Sequence, residues 1–339
     1  MAKKVVTMGE LLLRLTTPGH SRLAQAKSFD AIYGGAEANV AVFLANMGMD
    51  SYFLTALPDN GIGDSALNFI RNYGVKTDYI VRTGDRVGIY FLEKGTSVRP
   101  SKVVYDRKNS AICNIDVNDI DFEEVFKDAE WFHLSGITPA LGEKCILLVE
   151  KAVEYAKKKG VHISVDLNYR SKLWSYDQFE SVISRFINDI DVCFGWLSSS
   201  EKGGKHKIAD FAKQGVDLEK LKNTFSNMKK RFNIKYVVTT LRENYSADRN
   251  ALSALIYNGE ELYQSNKYDF TIQDRVGTGD AFAAGLIYKL ANEVDYKEAL
   301  EFGVASGVFK HTIEGDFNIC TEDEIMALVK GNTSGSVQR

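Results

Sequence analysis

Short apolar runs alternate along this chain with longer stretches whose apolar residues fall three and four positions apart. These are the spacings of buried strands and of helices packed on one face. Val5 to Met8, Leu11 to Leu15 and Phe29 to Tyr33 read as strands. Val40, Phe43, Leu44 and Met47 mark a helix from Ala36 to Met47, closed by Gly48. A strand at Tyr52 to Ala56 runs into a turn, Leu57-Pro58-Asp59-Asn60-Gly61-Ile62-Gly63-Asp64, and a second helix. From Trp131 the alternation is regular: strand to Leu134, helix Glu143 to Lys158, strand His162 to Asp166, helix Asp177 to Ile187, then strands Val192 to Phe194 and Tyr236 to Thr239. That order predicts an α/β fold with a mostly parallel central sheet flanked by helices. Between the two halves the rhythm breaks: Tyr79 to Val81, Gly88 to Glu93 and Lys102 to Tyr105 are strand-like with no helix among them. The segments near 10–33 and 86–108 are therefore read as a small β-sheet lid inserted in a single domain spanning 1–330. The Gly/Ser/Thr-rich tail, 331–339, is expected to be loose.

Ligands of open α/β sheets gather beyond the C-terminal ends of the strands. Ser135-Gly136 and Asp166-Leu167-Asn168 stand at such ends. Two glycine turns add chemistry. In the first, late in the chain, a strand-like run from Tyr268 to Ile272 leads into Asp274-Arg275-Val276-Gly277-Thr278-Gly279-Asp280 and an apolar helix. Small residues at a helix mouth leave backbone N–H groups bare for an anion such as phosphate. Asp280, on the same turn, could then accept a hydroxyl proton during phosphoryl transfer, or simply cap the helix. In the second, Phe29 to Tyr33 breaks at Gly34-Gly35 and opens a helix carrying Asn39, whose amide offers the donors and acceptors a sugar hydroxyl needs.

Together the two turns resemble those of the ribokinase-like (phosphofructokinase-B) carbohydrate kinases, and the resemblance runs from Val5 to about Leu328. Within that family, five segments resemble the 2-dehydro-3-deoxygluconokinase branch: Gly34 to Asn39, Gly88-Ile89-Tyr90-Phe91, Val104-Tyr105-Asp106-Arg107, His133 to Pro139 and Asp166-Leu167-Asn168-Tyr169-Arg170. The resemblance implies a kinase that uses ATP and Mg²⁺ to phosphorylate the 6-hydroxyl of a 2-keto-3-deoxy sugar acid. It places Gly34, Gly35, Asn39, Tyr90, Tyr105, Arg107, Ile137 and Arg170 around the sugar acid. It puts the transferred phosphoryl group at Gly277, Thr278 and Gly279 beside Asp280, and the nucleotide against Asn168, His311 and Gly315; Arg242, read from the residues alone, could contact phosphate or form a surface ion pair with Glu243 or a neighbour. A guanidinium suits a planar carboxylate, which is the physical case for Arg107 and Arg170. Three departures from the family pattern stand out. Thr278 replaces the usual alanine, Gly195 to Glu201 replaces an acidic run near the metal, and Thr239-Thr240-Leu241-Arg242-Glu243 replaces a glycine-rich nucleotide turn.

Composition narrows the field further. Net charge is −3, and the lysine-rich stretches sit at helix ends, so nucleic-acid binding is disfavoured. No apolar run approaches a membrane span, and nothing resembles a signal peptide, so a cytoplasmic location is expected. Cys113, Cys145, Cys193 and Cys320 are widely spaced, and His20, His133, His162, His206 and His311 show no ligand spacing. Two rival functions remain: a kinase for a neutral ketose, which would have less use for Arg107 and Arg170, and a sugar-acid sensor, against which the intact Asp280 argues. The small lid also predicts a homodimer, because a few strands cannot cover both faces.

Overall fold

The computed structural model describes residues 2–197 and 217–332. Strands β1 (Lys4–Met8), β4 (Asp50–Leu57), β5 (Ile80–Arg82), β8 (Ala129–Ser135), β9 (His162–Asp166), β10 (Val192–Phe194) and β11 (Tyr236–Asn244) run parallel in the order β11-β10-β9-β8-β1-β4-β5. Beyond β11 the direction reverses. β12 (Arg249–Tyr257) is antiparallel to β11 and carries β13 (Leu262–Gln264) and β14 (Tyr268–Thr271) as antiparallel partners. The inner parallel strands β1, β8, β9 and β10 are buried over most of their length, whereas the edge strand β5 is only partly buried.

Helices cover the two faces and separate the core in two. One side packs α4 (Glu143–Lys158), α5 (Tyr176–Ile183) and α6 (Leu218–Arg231), with Leu148, Phe179 and Phe225 buried among them. The other packs α1 (Ala36–Asn46), α7 (Thr278–Ala291), α8 (Tyr296–Lys310) and α9 (Glu322–Val329) around Phe43, Phe282 and Phe302. α7 and α8 can lie close because a Cβ added at Gly285 would meet Ser306, and one at Gly303 would meet Phe282 O at 3.0 Å. Two further helices, α2 (Gly61–Arg71) and the short α3 (Phe122–Val125), complete the set among the described residues; Asn60 caps α2 by accepting from the N–H groups of Ile62 and Gly63.

A separate four-stranded sheet has the order β3-β2-β6-β7. It comprises β2 (Leu12–Thr16), β3 (Asp30–Gly34), β6 (Gly88–Glu93) and β7 (Lys102–Asp106). The piece at Tyr79 to Val81 belongs elsewhere: β5 extends the large sheet beside β4. β11 to β14 also depart from simple β-α alternation, because the chain returns by a hairpin instead of a crossover helix. No helix of the described residues is long and apolar enough to cross a membrane. The tail beyond Asn332 lies outside the described residues.

Candidate active site

Gly277 is the N-cap of α7, with φ 79°. That left-handed conformation suits glycine, and a Cβ there would lie 2.0 Å from the carbonyl oxygen of Asp316. Among the described residues, the backbone N–H groups of Gly277, Thr278, Gly279 and Asp280 have no acceptor, the usual state of a helix start. Around Gly279, a Cβ would meet nothing within 4 Å, so the turn is open on that side. Bare N–H groups at the positive end of a fourteen-residue helix form an anion site.

Asp280 projects from the first turn of α7. Asn39 Nδ2 donates to its Oδ2 at 2.6 Å, while Asn39 Oδ1 accepts from Gly35 N–H at 3.2 Å. The two glycine turns, far apart in sequence, thus meet at one carboxylate. Burial pushes Asp280 up to about 7, against the opposing hydrogen bond from Asn39; the charges of Asp166, Glu37 and Asp316 push the same way as burial. Asp166 is likewise raised by burial, to about 6, with Arg170 and the Asn168 N–H opposing. A carboxylate poised near neutral pH beside an anion site is the arrangement of a general base for a hydroxyl attacking phosphate.

A cavity of about 360 Å³ opens at the C-terminal ends of β9, β10 and β11, with Asp166, Asn168, Arg170, Thr240, Gly279 and Phe282 on its wall. Asn168 takes a left-handed φ of 37°, which its N–H to Asp166 Oδ1 bond (3.0 Å) supports. Arg170 is exposed there, and its side chain has no hydrogen bond or ion pair to another described residue. Arg107 differs: its Nε donates to Glu10 Oε2 at 2.7 Å, and its guanidinium forms a close ion pair with that buried acid, which Ser110 also bonds. The guanidinium lies 5.4 Å from the centre of the Tyr105 ring, which is 49% exposed. Ile137, just past β8, donates its N–H to Ser135 Oγ at 3.2 Å. Glu37, from the Gly34 to Asn39 segment, is buried and accepts from Ser135 and Thr138 hydroxyls, so it ties α1 to the β8 loop.

Several expectations change here. Asn39 commits its side chain to Asp280 and Gly35 instead of leaving it free for a hydroxyl. The Tyr90 hydroxyl donates to Asp316 (2.6 Å to Oδ2), so what it leaves is a ring tilted against Tyr105. Gly34 and Gly35 are small because Asp316 and the Glu10 carbonyl stand where a Cβ would go. His311 is fully buried, with its ring 4.4 Å from Phe270 and its Nδ1 on Gly307 O, so it has no free face for a base. Gly315 gives its N–H to Asp274 at 3.2 Å. Both residues support the catalytic turn from behind, since the His311 carbonyl accepts from Gln273 N–H at 2.7 Å. Thr278 does not crowd the turn: its hydroxyl points inward, donating to Arg275 O and accepting from Arg242 Nη2 at 2.9 Å.

Arg242 has no acidic partner among the described residues, nor has Arg275. Burial and the neighbouring Arg275 charge pull Arg242 down to about 10. Two uncompensated guanidiniums beside bare N–H groups favour an anion. Sequence reading overlooked Arg275, although its place inside the glycine turn was a signal. It also overlooked the buried ion pairs of Arg14 with Asp274 and Asp316. Among the described residues no group of three His, Cys, Asp or Glu side chains could hold a metal. Ser198 to Glu201, the rest of the altered run after Phe194, lies outside the described residues.

Comparison with known proteins identifies the family. The pfkB family carbohydrate kinase pattern matches residues 2–323. A 2-dehydro-3-deoxygalactonokinase of Haloferax volcanii is 31% identical over 337 residues, covering 99% of each chain. A 2-dehydro-3-deoxygluconokinase of Bacillus subtilis is 26% identical over 320 residues, covering 94% of this chain and 92% of that one. The crystal structure of a 2-dehydro-3-deoxygluconokinase from Thermotoga maritima matches with a TM-score of 0.90 at 44% identity, covering 97% of this chain and 100% of that one. The chain belongs to the pfkB family of carbohydrate kinases. It has the ribokinase-like fold and is a kinase.

Proposed function

We propose that the protein transfers the γ-phosphoryl group of ATP to the 6-hydroxyl of 2-dehydro-3-deoxy-D-gluconate, giving the 6-phosphate and ADP. The observation that carries this reading is Arg170, an exposed guanidinium with no hydrogen bond or ion pair to another described residue, on the wall of a cavity that also reaches Gly279 at the anion turn. A sugar acid has one carboxylate at one end and a primary alcohol at the other. Pairing the carboxylate with Arg170 leaves the distal hydroxyl for Asp280. The three 2-keto-3-deoxy sugar acid kinases named above support the substrate class.

In this mechanism Asp280 takes the proton of the attacking hydroxyl, and Asn39 fixes which carboxylate oxygen faces it. The bare N–H groups of Gly277, Thr278 and Gly279 stabilise charge on the transferred group. Arg242 and Arg275 stand where the remaining phosphate charge would lie. Mg²⁺ bound with the nucleotide would neutralise phosphate charge, and Asp166 and Asp280, whose charges act on each other, are carboxylates that would help hold it beside the phosphates. Coupled ADP release tests the reading. The gluconate-derived acid should surpass fructose in kcat/KM by at least about tenfold, the scale of one charged contact. A preference for fructose would replace it with a neutral-sugar kinase, and no turnover of either with a sugar sensor.

The same reading includes a homodimer formed through the small sheet. Its outer face carries Leu15, Phe91 and Val104 in register across β2, β6 and β7. Phe29 packs edge-on to Phe91 at 5.7 Å yet stays 39% exposed, as does Val104. A second copy would cover this strip. Light scattering at micromolar concentration should give twice the 37.9 kDa of one chain, and the single-chain mass would reject the dimer.

A further inference from the structure

Behind the catalytic turn lies a buried set of charges that the phosphoryl-transfer scheme does not use. Arg14 sits in the middle of β2, on the small sheet, with 1% of its side chain exposed; Asp274 and Asp316 are each 2% exposed. The Arg14 guanidinium is shared between them: Nη1 donates to Asp316 Oδ1 at 2.6 Å, and Nη2 forms a close bond with Asp274 Oδ2. Its Nε donates to Thr16 Oγ1 at 2.7 Å. Tyr90, opposite Arg14 in the β2–β6 register, gives its hydroxyl to the same Asp316. A second cation, the fully buried Lys310, donates to Ile313 O at 2.9 Å and feels both carboxylates. The two acids and two cations balance.

Each acid also touches the anion turn. Asp274 Oδ1 accepts from Val276 N–H at 3.1 Å, and its Oδ2 accepts from Gly315 N–H. The carbonyl of Asp316 fills the space beside Gly277, and its carboxylate fills the space beside Gly34. A shift of either acid therefore moves the backbone that presents the bare N–H groups. A buried ion pair of this kind is weak grounds for stability, since apolar replacements can serve as well. What it does provide here is a fixed geometry between three segments, residues 12–16, 274–280 and 313–318.

We propose that Arg14 is a positioning residue for phosphoryl transfer: carried by the small sheet, it holds Asp274 and Asp316 and through them sets the shape of the Val276 to Asp280 turn. Arg14 is buried and bonded to the two acids and to Thr16, so it acts through them. It links the sheet bearing Tyr105 and Arg107 to the turn bearing Asp280. The inference rests on the kinase activity of the family and not on which sugar acid is used.

The test compares Arg14→Met with wild type, using 2-dehydro-3-deoxygluconate or its galactonate epimer, whichever the wild type turns over faster. Calorimetric titration with that acid gives the fraction of competent sites and the dissociation constant, and steady-state assays give kcat. We expect near one site per chain, a dissociation constant within about threefold of wild type, and a kcat about tenfold lower, the loss from misplacing a reacting group. Arg14→Lys, which can reach one acid but not both, should fall between. If removing the cation alone unfolds the chain, the charge-balanced pair Arg14→Met with Asp274→Asn is measured instead and should fold yet stay slow. A folded variant with kcat within twofold of wild type overturns the proposal. So does a loss of rate matched by an equal loss of competent sites, the mark of a purely structural role. Failure of the wild type on both acids would reject the substrate reading instead; the same ratios would then be taken with fructose.

Discussion

Asp280→Asn lowers kcat by at least about a hundredfold, the ordinary range for losing a general base, and leaves sugar-acid binding within about threefold. Asn keeps the shape of the side chain, and its oxygen can still accept from Asn39 Nδ2, which now bonds Asp280 at 2.6 Å. What is lost is the ability to take a proton. The wild-type rate should also carry the titration of this group. Burial raises Asp280 to about 7, so the base is ionised above neutral pH and kcat should fall as pH drops below that value. The stability sign is opposite to the catalytic one. A carboxyl raised in the fold above its ordinary 3.8 weakens the fold progressively as pH rises from about 4 to 7, and fully above that. Asp280→Asn should therefore melt at or above the wild-type temperature at pH 8. Undiminished turnover with an unchanged pH profile would remove Asp280 from the chemistry.

Arg170→Lys raises KM for the sugar acid by more than tenfold, a loss of roughly 1.5–3 kcal/mol, as for hydrogen bonds to charged groups. One ammonium cannot reproduce two parallel N–H bonds to a carboxylate. Arg170 carries this expectation in preference to Arg107, because Arg107 already pairs with Glu10 while Arg170 faces the cavity with no bonded acid among the described residues. KM for ATP serves as the internal control and should move little. A KM for the sugar acid within twofold of wild type would mean that the carboxylate is held elsewhere.

Much of the fold was legible in the chain because strand and helix spacings differ so clearly from Trp131 to Phe194. Helix Glu143 to Lys158 and strands His162 to Asp166 and Val192 to Phe194 have the boundaries their patterns predict. The small sheet was legible from strands crowded without helices. β12 was not, since nothing in Arg249 to Tyr257 states that the chain will turn back beside β11 instead of crossing over. At the site, local motifs located Asp280 and the bare turn. They did not reveal how the polar groups pair, because those pairings are tertiary. The buried positions of β2 are Leu12, Arg14 and Thr16, and nothing in the strand's own pattern marks Arg14 as an inward residue. Arg14 finds its partners in loops that no periodic pattern describes. The resemblance places His311 at the nucleotide, and nothing local in the sequence marks the ring that covers it, here Phe270.

The bond from Arg14 to Asp316 spans 302 positions, and that from Asn39 to Asp280 spans 241. A ribosome makes the chain from its N-terminus, so β2 and α1 emerge long before the segments that complete them. Until Asp274, and after it Asp316, leaves the exit tunnel, the place reserved for Arg14 lacks its counter-charges, and a guanidinium cannot be buried alone. The small sheet must therefore keep Arg14 in water, and its inward face open, through most of synthesis. Contacts so distant in sequence form late and slowly. Competence for phosphoryl transfer is thus among the last properties the growing chain acquires, after most of its large sheet has been made.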